Sequence, residues 1–589
     1  MGDKRTLLAF LIIGLILLAM PYYYELVGIA PDPSLSQSEE SRRAEPVEAE
    51  PIAAPEFKSA VAAPAPTAIE TADPAGGSTG RGQTADETRQ FSAREIEVTT
   101  PIQHMTVSTK GGVLTSVELV SFKRHDGSPV QLLPDYGRGL AVTVARTDTR
   151  GEAIDLADYE FVPDRESLHL DGDGEATLQM SATLPSGEVV LKRFRFRGDR
   201  YGVEVEIVTT GFAGDDIVRV HWEGGIRDAE RDWEVDKEVL SAKAYLNESL
   251  EEFRADDGPT TWAEKGALKW AGVRNKYFLC ALAPTGSDRY WVEISAREVP
   301  VEDASSFHRE SESPATWPHH DISVGARISD SGMWSGLVYL GPMDYKEISS
   351  YGVELERAME LGFPVVRDIA QLLLLLFVVA YEYVPNYGVV IILFAVCVKL
   401  LVYPLTHKSY ESASKMQALQ PKITALKEKF KNDSQRLSKE TMQLYKEEGV
   451  NPLGGCLPLL LQMPIFIALY QTFNSAVQLR QAPFGLWIDD LARPDQLLVA
   501  GIDIHVLPLA MSAAMFFQSK MTMKDPKQAA LVYIMPAVMI VFMWQFASGL
   551  VLYWTVFNVL QIGQQVLTNH MKNKAEPSPP APILKTRGK

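Results

Sequence analysis

Cysteine is nearly absent from this chain: three residues in 589, Cys280, Cys397 and Cys456, stand far apart and match no metal-ligand spacing. They support neither a disulfide framework nor a zinc site, and all three read as packing residues. A phosphate-cradling P-loop pattern is missing throughout, as is any nucleophile–base or paired-carboxylate constellation in a recognisable setting. No catalytic residue is therefore assigned, and no cofactor or metal is expected. His319, His320 and Asp321 could form a metal corner, but a solvated loop is the favoured reading.

An excess of positive charge is missing from the first 360 residues, where carboxylates crowd, and the net charge is −18. Lys and Arg dominate only the short polar segments after residue 405. This pattern argues against DNA or other nucleic acid as the main ligand and is better read as membrane topology. A hydrophobic fraction of 46% is too modest for a chain that is membrane throughout, so soluble and membrane parts are both expected.

What is present divides into blocks. Residues 1–24 carry Lys4 and Arg5, an apolar run from Leu7 to Met20 and a tyrosine cluster at 22–24. The run is short enough for a signal peptide, but the tyrosines and the lack of a small-x-small site favour an uncleaved membrane anchor. Residues 25–91, rich in Pro, Ala, Glu, Ser and Thr, form a disordered linker. Residues 92–345 alternate apolar and polar positions in short runs such as VLTSVELVSF (113–122) and YGVEVEIVTT (201–210), which predicts a large antiparallel β domain, a sandwich. Residues 346–388 are assigned to connecting and interfacial helices, and 389–570 to a helical membrane core containing a cytoplasmic hairpin at 408–450. Residues 571–589 are a basic tail.

Topology follows from charge. Apolar spans fall near 389–409, 456–478, 505–521, 529–546 and 549–569, and 363–383 is long enough to span but carries Arg367, Asp368 and Glu382. The segment 408–448 holds nine Lys/Arg and should be cytoplasmic. With a cytoplasmic N-terminus, only one crossing fits between the β domain and residue 408. So 363–383 is read as an amphipathic helix on the outer surface and 389–409 as the crossing. The sum is six crossings with both termini inside. In the hairpin, Met416, Leu419, Ile423, Leu426 and Phe430 make a coiled-coil-like stripe, with a turn and cap at Asn432, Asp433 and Ser434. Its cations, including Lys415, Lys422, Lys427 and Lys429, fit equally a solvated hairpin and a contact with anionic lipid, ribosomal RNA or a partner.

Acids are also missing where one would matter most. Lys399 lies within VVIILFAVCVKLLVYPLTHKS, and spans 389–406, 456–478, 505–521, 529–546 and 549–569 contain no Asp or Glu. A lysine at a helix centre costs about 2.5–3.5 kcal/mol on insertion scales. It lies roughly 15 Å into a core about 30 Å thick, so snorkelling reaches the interface poorly. Without a counter-ion the amine needs water or neutral oxygens. Gln462 on the third span and Asn558, Gln561 and Gln565 on one face of the last could supply them. Any one of these is by default interhelical glue; together with an unpaired lysine they favour a hydrated cavity opening to the cytoplasm.

At these residues the sequence resembles the YidC membrane protein insertases in their long Gram-negative form. The resemblance rests on YPLTHKS (403–409), KMQALQPKI (415–423), NPLGGCLPLLLQMPIFIALY (451–470), LRQAPFGLWIDDL (479–491) and SGLVLYW (548–554). It implies a polytopic α-helical membrane protein with six transmembrane helices, five forming a core around a hydrophilic groove, and a periplasmic all-β supersandwich domain. It further implies a non-enzymatic insertase and chaperone of the bacterial inner membrane. Nascent membrane proteins would be its clients, the Sec translocon a partner, and the ribosome and targeting factors visitors to the hairpin and tail. The polar exported segment would enter near Lys399, while the apolar segment slides into lipid past Met463, Phe466, Phe473, Met535 and Phe542. The family usually places an arginine where Lys399 stands, so charge is kept and the planar fork is lost. A secondary transporter or lipid flippase using the same cavity is the rival reading, but internal repeats and intramembrane acids are not evident. A sugar- or lipid-modifying β domain on a passive anchor lacks a catalytic constellation.

Overall fold

The computed structural model describes residues 93–146, 153–231, 233–255, 258–286, 289–300, 316–328, 333–431, 433–450, 457–522 and 529–575. The expected anchor at 1–24, the linker at 25–91, Cys456 and most of the tail lie outside the described residues.

Alternating sequence becomes alternating burial. In Gly202–Thr210, Val203, Val205 and Ile207 are buried while Glu204 faces out, the pattern of a strand covered on one side. Two large sheets result. One runs from an edge at Thr260–Gly266 through Tyr290–Pro300, Thr316–Arg327, Ile217–Glu223 and Arg138–Ala145, then through Val113–Lys123, Gln103–Ser108 and Glu95–Thr99 to Ser167–His169. The other runs from Ser249–Phe253 through Ser241–Leu246, Leu268–Arg274, Phe278–Thr285 and Met333–Pro342, then through Gly202–Thr210, Val189–Arg197 and Glu175–Thr183 to Val162–Pro163. Pairing is antiparallel except between Glu95–Thr99 and Ser167–His169. Their inner faces share one core, and polar ties stitch them: Lys192, fully buried, donates from Nζ to the carbonyls of Gly111, Gly112 and Leu140 at 2.8–3.0 Å. Burial lowers the pKa of this ammonium to about 7.

The solvated loop expected at His319–Asp321 is instead the middle of a strand, Thr316–Arg327. Because side chains alternate, His320 points inward and is fully buried, while His319 faces out and meets Asp321 Oδ1 at 2.9 Å. Among the described residues, no group of three or more His, Cys, Asp or Glu side chains could hold a metal.

Ten helices are described: α1 (Trp233–Val239), α2 (Tyr345–Ser349), α3 (Pro364–Tyr383), α4 (Tyr387–Ala418), α5 (Gln420–Lys429), α6 (Ser434–Glu447), α7 (Leu457–Ser475), α8 (Val506–Thr522), α9 (Ala529–Met543) and α10 (Ser548–Ala575). By length and composition, three of them contain stretches able to cross a membrane, 364–383, 387–404 and 548–568, while the apolar part of α9, 532–543, is shorter. So α3, expected to be amphipathic, is apolar around most of its girth. Val366, Ala370, Leu373, Leu374 and Phe377 face the protein, and Val365, Leu372, Leu375, Leu376 and Val379 are exposed on the other side. It nevertheless lies across α7 rather than along it. Gly362, Ala370 and Phe377, spread over roughly 20 Å at the helical rise, meet Gln471, Thr472 and Phe473 respectively.

Helix α4 continues to Ala418, well beyond the expected end of the span, through Pro404. Proline removes one backbone donor, and Thr406 Oγ1 turns back to the carbonyls of Val402 and Tyr403 at 3.1 and 3.0 Å in the same turn. Cys280 is buried as expected, but Cys397 is exposed on the outer side of α4 and does not pack.

The β domain sits on one end of the helices. Arg480, just after α7, donates to Glu230 and to the carbonyls of Lys123 and Ala229. The segment 479–495 also closes the bundle at that end: Ser548 N donates to Arg493 O, Ser548 Oγ to Asp490 O, and Gly549 N to Leu491 O. At the start of α4, Asn386 Nδ2 donates to Phe484 O, and Gly388 lies so close to the Phe484 ring that a Cβ would overlap it.

Candidate functional site: a polar seam between two parallel helices

Helix α4 carries polar groups at helical spacing. Lys399, Thr406 and Ser409 are buried on the side that also buries Val402, whereas Leu393, Leu400 and Leu401 are exposed on the opposite side. Helix α10 answers with Asn558, Gln564, Gln565 and Thr568, all buried, and half-buried Gln561. Two contacts fix the register. The Lys399 ammonium lies 4.6 Å from the centroid of the Phe557 ring, and Gln564 Nε2 donates to Thr406 Oγ1 at 3.2 Å. In both, the partner on α10 lies 158 positions further along the chain, so the two helices run parallel and in register. Helix α7 runs the other way against α10: Gln462 Nε2 donates to Tyr553 OH at 2.8 Å, while Phe473 packs on Gly549.

The seam is under-satisfied. Among the described residues, Lys399 Nζ, Asn558 Nδ2, Gln561 Oε1 and Gln564 Oε1 are buried atoms without a hydrogen-bond partner, and Ser512 Oγ on α8 is another. Lys399 is 6% exposed and, among the described residues, has only the face of Phe557 as an electrostatic partner. A buried, partnerless ammonium beside three half-used amides is costly in a dry interface, so the arrangement calls for water or a polar guest. The segment 479–495 shuts the end beside the β domain, and the opposite end runs into α5 and α6.

Of the sequence-predicted polar residues, the structure brings Lys399, Asn558, Gln561 and Gln565 onto the facing sides of α4 and α10; Gln462, on α7, joins through Tyr553 of α10. Thr406, Ser409, Gln564 and Thr568 were not anticipated. The signal was available in spacing, since 399, 406 and 409 share one helical face and 561, 564, 565 and 568 continue another. The apolar candidates separate. Met463 and Met535 are half-buried, Phe466 stands edge-on to Trp554 at 4.5 Å, and Phe542 is 51% exposed. Phe473 is a correction: it is 1% exposed, wedged between Phe377 and Gly549, and offers no outward surface.

In the hairpin, Leu419, Ile423 and Val450 form a small core with Met416, Leu444 and Tyr445, and Asp433 caps α6 by accepting from Arg436 N. Lys415, Lys422, Lys427 and Lys429 are all exposed, with Lys422 paired to Glu448 at 2.5 Å.

The family described as YidC periplasmic domain matches residues 95–376, and that described as 60Kd inner membrane protein matches 379–576. Among relatives, the membrane protein insertase YidC of Chlorobium luteolum is 33% identical over 80% of this chain and 82% of its own. That of Chlorobaculum tepidum is 30% identical over 96% of this chain and 94% of its own. A crystal structure of an active YidC insertase with its first transmembrane domain resolved matches with a TM-score of 0.33 at 18% identity, covering 81% of this chain and 93% of that one. With the two family matches together running from residue 95 to 576 and relatives aligned over nearly the full length, this chain belongs to the YidC family of membrane protein insertases.

Proposed function

We propose that the seam between α4 and α10 is the hydrated groove through which the polar segment of a nascent membrane protein is drawn, with Lys399 as its fixed charge. The observation that carries this reading is the partnerless Lys399 ammonium facing an in-register row of half-used amides. In this reading the β domain is periplasmic, α4, α7, α8, α9 and α10 cross the membrane with the N-terminal anchor as the sixth span, both termini are cytoplasmic, and α3 lies along the outer surface. The closed end then faces the periplasm and the open end the cytoplasm, where the cations of the hairpin meet the ribosome or targeting factors. Some clients reach the groove directly and others by way of the Sec translocon.

The energetics are those of a shortened barrier. A polar segment in water-filled space avoids the desolvation it would meet in lipid, so no nucleotide is needed. A client carboxylate 4 Å from Lys399 gains about 4 kcal/mol of Coulomb energy at an effective dielectric of 20, before desolvation is subtracted. Half-buried Met463 and Phe466 with exposed Met535-side residues such as Phe542 give the apolar segment soft contacts on its way into lipid.

The test is insertion into vesicles containing purified protein. The client is a short membrane protein with an acidic exported tail, scored by protease protection of that tail. Lys399→Ala should slow insertion at least about tenfold, the worth of 1.4 kcal/mol, and Lys399→Arg should be tolerated; a client with a neutral tail should respond to neither. Equal rates for alanine and wild type on the acidic client would remove the electrostatic role. Failure of wild type to protect the tail would overturn the insertion reading and favour transport or lipid flipping through the same seam.

A further inference from the structure

The segment 497–504 joins the stretch that closes the bundle to the first turn of α8, and it folds as a two-stranded hairpin: Leu497 pairs with Ile504, Leu498 with Asp503 and Val499 with Ile502. Its two-residue loop, Ala500 and Gly501, has positive φ at both positions, 53° and 80°, the geometry of a tight primed turn that fixes the register. Register decides the faces. Leu498 and Asp503 share one side, and both line a cleft of about 910 Å³ together with Lys123, His125 and Gly127 of the β domain. Because side chains alternate, Leu497, Val499, Ile502 and Ile504 make up the other side. That side is wholly aliphatic, and toward its tip Val499 is 46% and Ile502 65% exposed.

The base of the hairpin is fastened at the ends of the helices. Asp495, buried, accepts from Trp487 Nε1 at 3.0 Å and from Leu507 N in the first turn of α8 at 2.9 Å. The His505 ring lies 4.4 Å from that of Trp544, which directly follows α9. Tryptophans thus flank the base on both sides, the residue type that gathers where a helix bundle leaves hydrocarbon for water. Apolar exposure resumes beyond them, at Leu509 in the first turn of α8 and at Val541 and Phe542 in the last turn of α9. We infer that the aliphatic face of the hairpin lies flat on the outer leaflet of the bilayer, with Val499 and Ile502 among the first carbons of the acyl chains and Leu498 and Asp503 turned toward the cleft. A protein partner fits this face less well. Protein interfaces draw on aromatic residues, Met and Arg within a polar rim, whereas this face is four aliphatic side chains, and no charge occurs from Leu497 to Ile502. Interfacial contacts of this kind reach about 5–10 Å into the boundary between headgroups and acyl chains, a depth that strands of this length, about 10 Å, can meet. The contact sets the depth of α8 and α9 at their outer ends. The inference rests on the proposed crossing of α8 and α9 and makes no use of the Lys399 seam, so either reading can fail alone.

The test uses the full chain with Cys280, Cys397 and Cys456 replaced by alanine and a single new cysteine labelled with the environment-sensitive dye NBD, in vesicles of phosphatidylcholine and phosphatidylglycerol that contain no other protein. Val499→Cys and Ile502→Cys should give blue-shifted emission, quenched more strongly by lipids bearing a nitroxide near the glycerol end of the acyl chain than near its methyl end. Leu498→Cys, at a position as exposed and as apolar as Ile502 but on the cleft side, should emit as in water and escape quenching. Leu509→Cys in α8 is the control for the membrane itself. Quenching at 509 with water-like emission at 499 and 502 overturns the inference and spares the crossing of α8; no quenching at any of the three overturns both. Blue-shifted emission at 499 and 502 without quenching by lipid shows a protein surface there, a second copy or another part of this chain, and also overturns the inference. Equal quenching at 498 and 502 means that the hairpin is immersed whole rather than laid on one face, and does the same.

Discussion

Replacing Arg480 by alanine should unseat the β domain from the helix ends. The guanidinium uses three directions: Nε to Glu230 Oε1 at 2.6 Å, Nη1 to Lys123 O at 2.8 Å and Nη2 to Ala229 O at 2.8 Å. Its side chain is 3% exposed and that of Glu230 is 8% exposed. Alanine therefore strands a buried carboxylate and takes a donor from two carbonyls, of which Lys123 O keeps the bond from Gln481 Nε2 at 2.9 Å. Breaking a buried pair from one side costs about 3–5 kcal/mol, which raises the undocked population by roughly two to three and a half decades. Hydrogen exchange of the full chain reads this out in the peptide 479–491, where Leu491 N donates to Ala482 O and Phe484 N to Ile488 O at 3.0 and 3.1 Å. Protection there should fall by a comparable factor. Arg480→Lys, which keeps the charge but not the fork, should be intermediate. Adding Glu230→Gln to Arg480→Ala should restore part of the loss, because a neutral amide is cheaper to bury alone than a carboxylate. Unchanged exchange in Arg480→Ala, or a double variant worse than the single one, would refute the reasoning.

Burial pushes the His221 and His320 imidazoles down to about 4, below the unfolded value near 6.5. Each therefore contributes stability that is present above pH 6.5 and lost as pH falls toward 4, about 2 kcal/mol per group at pH 5. His320→Leu should flatten the pH 5–7 dependence of thermal unfolding of the β domain; a slope as steep as that of wild type counts against this. Gly388→Ala places a Cβ into the Phe484 side chain, ring and Cβ alike, and should destabilise the junction by about 1–3 kcal/mol, with Phe484→Gly relieving most of it. Independent, additive melting shifts would show that the two do not meet. Gln564→Leu removes the bond to Thr406 and one of the half-used amides. Water accessibility of a cysteine placed at position 561 should drop with it, together with insertion of acidic-tailed clients, and unchanged labelling would contradict a wet seam.

The seam was legible because membrane spans make charge conspicuous. The five spans hold no Asp or Glu, which excludes an ion pair for Lys399 from the sequence alone, and the spacing of 558, 561 and 565 marks the facing helix. Gln564 and Thr406 were missed because each looks like ordinary interhelical glue until the two helices are seen in register. Phe473 was misplaced for a deeper reason: core and lipid are equally apolar, so hydropathy cannot tell which side of a membrane helix faces which. His319–Asp321 was read as a loop because Pro318, two histidines and an aspartate resemble turn chemistry. The strands that pair with Thr316–Arg327 and hold it extended come from residues 217–223 and 290–300, too distant for a local pattern to reveal. The span was expected to end at residue 409, where the charged run sets in, whereas α4 continues through Pro404 and the charges to Ala418.

The constant offset of 158 between α4 and α10 has a consequence for biosynthesis. The two walls of the seam are made at different times. At about 5–20 residues per second, the last helix follows Lys399 by roughly 8–30 seconds. During that interval α4 holds a charged residue with neither its amide row nor its aromatic lid. A chain halted before residue 548 should keep Lys399 solvated at the membrane edge, or leave α4 unlodged, until α10 arrives. On the proposed function, a protein that eases polar segments across a bilayer has the same difficulty to overcome in its own assembly, and its C-terminal helix is what resolves it.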